Sequence, residues 1–231
     1  MTVAATVRPK AEAALAVLAS LVLDDNEHTW GQKAEPAQWA DAEAVLDPDS
    51  ETPFHFITRS RGRSKTTDLG GMLIAVMLTQ SSRGDRLYAV AADRDQGRLL
   101  LDSIEEFAGR TPGLRGELKI DQYRVTASRT GAVLEVLAAD GPGAYGLRPS
   151  FLVVDEVAQW KATTSALQVW NATTTSMHKV KGARMVCLTS AGEPSHWSHA
   201  VLERAYESPL WRVNETPGPP PWMDKARLDE E

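Results

Sequence analysis

The run Phe151-Leu152-Val153-Val154-Asp155 leaves this 231-residue chain the fewest folding options. It shows no alternation of polar and apolar residues, and it ends in two adjacent acids, Asp155 and Glu156. A strand that is apolar at nearly every position is buried on both faces, as happens in parallel sheets covered by helices on either side. Carboxylates at the C-terminal end of such a strand stand at the sheet edge where α/β proteins bind their ligands. The segment therefore predicts an α/β fold and marks one edge of its sheet as the place for chemistry. Its simpler reading is a strand ending in a solvated turn.

Strand and helix patterns alternate around this run. Residues 53–58 read as a short buried strand, 59–64 as a polar loop, and 65–80 as a helix with an apolar face. Residues 86–92 read as the next strand, with Asp93 as the N-cap of a helix running through Leu99, Leu100, Ile104 and Phe107 to Gly109. Short strands at 118–120, 123–127 and 132–137 suggest an antiparallel excursion. A threonine-rich helix within 164–175, a strand at 184–189, a helix at 196–207 and a strand at 210–214 complete the pattern. Upstream, residues 13–23 place Leu15, Leu18 and Val22 on one helical face, which predicts an amphipathic helix packed on the domain rather than a leader. The polar stretch 24–50 suggests no element. The proline-rich segment 216–222 can sustain neither helix nor central strand and reads as an interdomain linker.

Composition narrows the partners. A chain with 42% hydrophobic and 24% charged residues can bury a core unaided. A formal charge of −6 is contrary to nucleic-acid binding over the whole surface, although a local basic patch remains compatible with it. The single cysteine, Cys187, excludes an internal disulfide framework. No apolar run reaches the ~18 residues needed to cross a bilayer, so the chain reads as soluble, with no membrane partner.

The loop after the first strand, Ser60-Arg61-Gly62-Arg63-Ser64-Lys65-Thr66-Thr67, carries the chemistry of a phosphate cradle. In such a cradle, backbone N–H groups and a helix N-terminus converge on the anion while a lysine supplies mobile charge. Lys65 would reach the β and γ phosphates, and Thr66 would place its hydroxyl on Mg²⁺. The pattern G-x-x-x-x-G-K-[ST] is not met: Arg59 stands at the first glycine and Ser64 at the second. Ser64 fits if its backbone avoids the conformations reserved for glycine. The alternative is a basic surface loop before an ordinary helix. At the other segment, Asp155 would hold Mg²⁺ through its hydration shell and Glu156 would polarise an attacking water. In this order the two segments predict hydrolysis of ATP.

These segments resemble the large terminase subunit, the motor that packages DNA into procapsids of tailed double-stranded DNA bacteriophages. The resemblance rests on a P-loop that departs from the glycine consensus and carries an early arginine, and on the stretch YAVAADRDQGRLLLD at 88–102. Gly146-Leu147-Arg148-Pro149 before the acidic strand and Thr189-Ser190-Ala191-Gly192 after the next strand add to it. It spans roughly residues 36–211. It implies an ASCE-type P-loop NTPase fold with a central, mostly parallel sheet flanked by helices. The implied function is an ATPase motor domain that uses ATP and Mg²⁺ to translocate double-stranded DNA in the host cell cytoplasm. Implied partners are double-stranded DNA, the portal and procapsid, the small terminase subunit, and further copies of the chain in a pentameric ring. Residues 1–50 would form an N-terminal helix and adenine-side segment, 51–215 the ATPase core, and 216–231 a linker towards a nuclease domain. No nuclease activity is expected from this fragment, since the tail acids Asp224, Asp229, Glu230 and Glu231 do not replace that domain.

The resemblance also distributes roles. Arg61 matches the early P-loop arginine, and Arg148 is the candidate finger presented across a subunit interface, with Arg59 and Arg63 as competitors. Ser60, Arg61, Gly62, Arg63, Ser64, Lys65, Thr66 and Thr67 would line the nucleotide. Thr189 and Ser190 have the hydroxyls for a coupling motif that senses the γ-phosphate, a helix-capping turn being the alternative. Gln38, with Gln32 as its rival, would read an adenine edge through an amide that both donates and accepts. His196 and His199 have metal-like spacing but lack further ligands, and Trp197 and Trp211 are expected to pack. Two other functions stay open: a helicase- or translocase-type nucleic-acid ATPase outside packaging, and a nucleotide-binding assembly module with impaired hydrolysis.

Overall fold

The computed structural model describes residues 9–140 and 146–220. The end of the expected linker and the tail acids Asp224, Asp229, Glu230 and Glu231 lie outside the described residues. In chain order the helices are α1 (Pro9–Ser20), α2 (Trp30–Lys33), α3 (Pro36–Val45), α4 (Lys65–Thr79), α5 (Arg94–Arg110), α6 (Thr164–Ser176) and α7 (Trp197–Glu207). The strands are β1 (Phe54–Arg59), β2 (Arg86–Ala91), β3 (Leu118–Asp121), β4 (Arg124–Ala127), β5 (Val133–Ala138), β6 (Phe151–Asp155), β7 (Arg184–Thr189) and β8 (Trp211–Thr216).

The eight strands among the described residues join one sheet in the order β3-β4-β5-β2-β6-β7-β1-β8. Pairings from β5 to β8 are parallel, while β3, β4 and β5 meet antiparallel. The expected excursion is thus a meander whose last strand enters the main sheet beside β2. Side chains on a strand alternate between faces, and both faces here are apolar. Ile57, Leu87, Ala89, Phe151, Val153, Val186 and Leu188 pack with α1, α4 and α5. Phe56, Tyr88, Val90, Leu152, Val154, Met185 and Cys187 face the other way, towards α6 and α7. That arrangement accounts for a continuous apolar run in β6, which lies between β2 and β7 and is buried throughout. Helix α4 crosses the first face with every residue from Leu69 to Leu78 buried.

Three details differ from the sequence reading. Helix α1 buries Ala11, Ala14 and Leu18; Leu15 is partly buried, and Val22 lies past the helix end, where it bridges to Thr29. The stretch 24–50 is not featureless, since it contains α2 and α3, each opened by a capping box (Thr29 with Gln32, Glu35 with Gln38). The buried face of α3 is Gln38, Asp41, Ala42 and Val45, half of it polar, which hid its period. Arg59 closes β1 rather than opening the loop. Past the edge strand β8, the chain returns over the loop after β1, where Gly218 and Pro219 offer their carbonyls to Ser60 and Arg63.

Candidate active site

The neighbouring strands β6, β7 and β1 run in the same direction, so their C-terminal ends form one edge. At that edge the loop 60–64 passes from β1 into α4. Gly62 has φ 77° and Ser64 φ 49°. The condition set for Ser64 is therefore not met: it takes the left-handed conformation that glycine adopts without a Cβ penalty, at a cost on the order of 1–2 kcal/mol. The serine keeps the turn that the consensus glycine would make.

Lys65, the first residue of α4, is buried, and its Nζ donates to the carbonyls of Arg59 at 3.3 Å and Ser60 at 3.0 Å. The same Nζ pairs with Glu156 Oε1 at 3.1 Å. The other carboxylate oxygen, Glu156 Oε2, accepts from Ser190 N and Ser190 Oγ, each at 2.7 Å, and from Thr189 Oγ1 at 3.3 Å. Thr189 Oγ1 in turn accepts from the Ala158 amide at 3.1 Å. Glu156 itself sits at φ 49°, which turns its side chain off the strand direction, and its amide donates to Leu188 O. Lys65, Glu156, Thr189 and Ser190 are thus brought into one hydrogen-bonded chain across three strands.

Asp155 is 3% exposed, and its Oδ1 has no hydrogen-bond partner among the described residues. Burial, reinforced by the charge of Glu156, pushes its carboxyl up from 3.8 to about 7, against the opposing pull of Lys65 and the Thr66 hydroxyl. A buried carboxylate oxygen unpartnered among the described residues, next to a threonine hydroxyl, offers the oxygen donors a hard divalent cation prefers. Thr66 and Asp155 therefore fit Mg²⁺.

The four arginines part company. Arg59 is buried and fully engaged by Asp41 and Asp68. Arg63 is also taken: it pairs with Glu35 at 2.7 Å and donates to Ser60 Oγ, Gly218 O and Pro219 O. Arg61 and Arg148 are exposed, with no ion pair or hydrogen bond among the described residues. Thr67 lies one position beyond Thr66 and lines a cavity of about 310 Å³ beside the loop, together with Trp30, Gln38, Ser64 and Asp68. Gln38 reaches that wall with its amide already engaged, Oε1 accepting from Glu35 N at 2.9 Å and Nε2 donating to Asp68 at 2.9 Å. Its rival Gln32 is exposed and caps α2 through Thr29 N.

The ring nitrogens of His196 meet Ser198 and the Trp160 carbonyl, while His199 faces Glu203. No cluster of three or more His, Cys, Asp or Glu able to hold a metal occurs among the described residues. Trp197 packs on Trp160 and Trp170, and Trp211 on Phe54 and Phe56. What sequence reasoning missed are the acids behind the loop: Glu35, Asp41 and Asp68. Asp68 carried a signal, because a lone acid near the start of a helix that is otherwise apolar on its inner side needs a buried partner.

Comparison with known proteins gives three results. The family model for the ATPase domain of the terminase large subunit matches residues 51–206. Comparison with curated proteins finds no match. Among solved structures, the large terminase of bacteriophage HK97 aligns with TM-score 0.77 and 17% identity, over 95% of this chain and 46% of that one. The large terminase ATPase domain of Thermus phage P74-26 aligns with TM-score 0.61 and 14% identity, over 80% and 81%. The large terminase of a thermophilic bacteriophage in complex with ADP aligns with TM-score 0.57 and 15% identity, over 90% and 44%. At these identities the structural matches speak for a shared fold, and the chain spans less than half the length of the HK97 protein and of the ADP-bound one.

Proposed function

The chain belongs to the family of terminase large-subunit ATPase domains, and from that premise we propose that it hydrolyses ATP at the loop 60–67 and couples hydrolysis to translocation of double-stranded DNA. The observation that carries the reading is the chain Lys65–Glu156–Ser190, in which one carboxylate touches both the phosphate-loop lysine and the segment after β7.

The residues divide the work as follows. Backbone N–H groups of residues 60–67 and the N-terminus of α4 receive the phosphates, with Lys65 on the β and γ groups. When phosphate draws Lys65 away, Glu156 Oε1 is released to accept a proton from water, while Ser190 and Thr189 keep Oε2 in place. Thr66 and Asp155 would hold Mg²⁺, which neutralises charge on the β and γ phosphates when bound. Loss of the γ-phosphate returns Lys65 to Glu156, and the contacts of Glu156 with Thr189 and Ser190 give that event a route to the coupling segment.

Of the arginines, Arg61 and Arg148 are the ones free to move, so they are assigned the transition-state charge, Arg61 within the subunit and Arg148 across an interface. The base occupies the cavity lined by Trp30 and Gln38, with Gln38 as the candidate to read an adenine edge through its amide. Portal, procapsid, small terminase subunit and a pentameric ring complete the proposed setting, in the host cytoplasm. The intact Lys65–Glu156 pair favours a hydrolase over an assembly module with impaired hydrolysis.

Glu156→Gln tests the reading. It should bind ATP with wild-type affinity and lose turnover by about 10²–10⁴-fold, measured as phosphate release from assembled subunits. Wild-type turnover in Glu156→Gln would remove Glu156 from the mechanism.

A further inference from the structure

Behind the phosphate loop lies a buried charge network that the proposed reaction does not use. The Arg59 guanidinium is held by Asp68 through one terminal nitrogen and by Asp41 through the other at 2.6 Å, and all three side chains are at most 1% exposed. Asp68 also accepts from Trp30 Nε1 at 2.7 Å and from Gln38 Nε2 at 2.9 Å. Asp41 further accepts from Asn214 on β8.

The placement of the pair matters more than its charge. Arg59 is the last residue of β1, immediately before the loop, and Asp68 lies in the first turn of α4, immediately after it. Ordinary phosphate loops take their shape from glycines at both ends, and here Arg59 and Ser64 stand in those places. The gripped residue also supplies one of the two carbonyls on which Lys65 rests. On its other side Asp68 holds two side chains, Trp30 and Gln38, that line the cavity beside the loop. A buried ion pair adds little net stability over apolar packing, but charge-assisted hydrogen bonds fix geometry well.

We infer that Asp68 is a positioning residue for nucleotide binding: with Arg59 it forms a buried clasp that fixes the span of loop 60–64 and sets it against the cavity wall. This rests on reading loop 60–67 as the nucleotide site. Asp41 binds the same guanidinium but belongs to α3, outside the loop, so it supplies a control with equal burial and no grip on α4.

The test compares Asp68→Asn, Asp41→Asn and Arg59→Lys for equilibrium binding of a fluorescent ATP analogue with Mg²⁺, and for thermal unfolding of the same preparations. Asp68→Asn and Asp41→Asn should lower Tm by similar amounts. Asp68→Asn should weaken nucleotide binding by about ten-fold or more, because displacing a binding group by an ångström is felt on that scale, whereas Asp41→Asn stays within about two-fold. Arg59→Lys keeps the charge but cannot bridge both acids with a planar fork, so it should lose nucleotide affinity as Asp68→Asn does, and it carries the test if Asp68→Asn does not fold. Affinity losses that track Tm alike in the Asp68 and Asp41 variants, or wild-type affinity in Asp68→Asn or Arg59→Lys, would overturn the clasp. A wild-type chain that binds no nucleotide would overturn the reading of the site itself.

Discussion

Replacing Asp155 by asparagine should stabilise the nucleotide-free domain at pH 8 relative to wild type, and do so far less at pH 5. The carboxyl titrates near 3.8 when unfolded and near about 7 in the fold, burial being the main cause and the Glu156 charge the next. Between those values the folded state keeps a proton that the unfolded chain has released. Stability therefore falls as pH rises from roughly 4 to 7 and stays level above. At about 1.36 kcal/mol per pKa unit the full penalty is on the order of 4 kcal/mol, of which less than half has accrued by pH 5. Asparagine does not titrate, and any packing cost of its amide is the same at both pH values and cancels. The gap between variant and wild type should widen by roughly 3 kcal/mol from pH 5 to pH 8, or roughly 6–12 °C in Tm for a chain of this size. Thermal melts followed by far-ultraviolet circular dichroism, without Mg²⁺ or nucleotide, measure it. A gap that is equal at the two pH values would refute the claim that Asp155 is a carboxyl buried at a cost to the fold.

Other outcomes follow from the same geometry. Ser64→Gly should leave stability within about 1 kcal/mol, since relief of the left-handed strain is offset by the entropy of the unfolded glycine, whereas Ser64→Val should lower Tm because a branched side chain fits that conformation poorly. Ser190→Ala removes one of the hydrogen bonds to Glu156 Oε2 and should reduce kcat by about ten-fold with little change in ATP affinity; an unchanged kcat would detach Ser190 from the catalytic carboxylate. Arg148→Ala mixed with Glu156→Gln should recover ATPase activity if the arginine acts across an interface, since some junctions then carry both intact groups. Mixtures no more active than the separate variants would place the arginine elsewhere.

The parallel part of the fold was legible because burial on both faces writes itself into the strands. β6 and β7 are buried end to end, and Asp93 announces α5 by capping it, its side chain accepting from Gln96 N. The segment 24–50 was not legible, because α3 turns Gln38 and Asp41 inward. Polar residues on an inner face erase the periodicity from which a helix is read. At the site, Lys65, Thr66, Asp155 and Glu156 were singled out from residue type and order, and the structure brings them to one sheet edge, with Lys65 on Glu156 and the Thr66 hydroxyl on Asp155. Which arginine is engaged could not be read that way. Arg59, Arg61 and Arg63 alternate in sequence, and what separates them is partners as far away as Asp68 in α4 and Pro219 beyond β8. The partner of Gln38 was hidden in the same way, in α4, 30 positions downstream.

The order of three strands has a mechanical corollary. β7 lies between β1, which delivers the phosphate loop, and β6, which delivers the acids. In register, Thr189 stands beside Thr58 and Leu188 beside Asp155. The end of β7 is the hyphen between lysine and carboxylate, and its length sets whether the two can be spelled together. A one-residue slip there would carry Thr189 and Ser190 past Glu156 and sever loop from acid while leaving every catalytic group in the sequence. In this sheet the segment proposed to carry the signal is also the spacer that holds lysine and carboxylate at their observed separation.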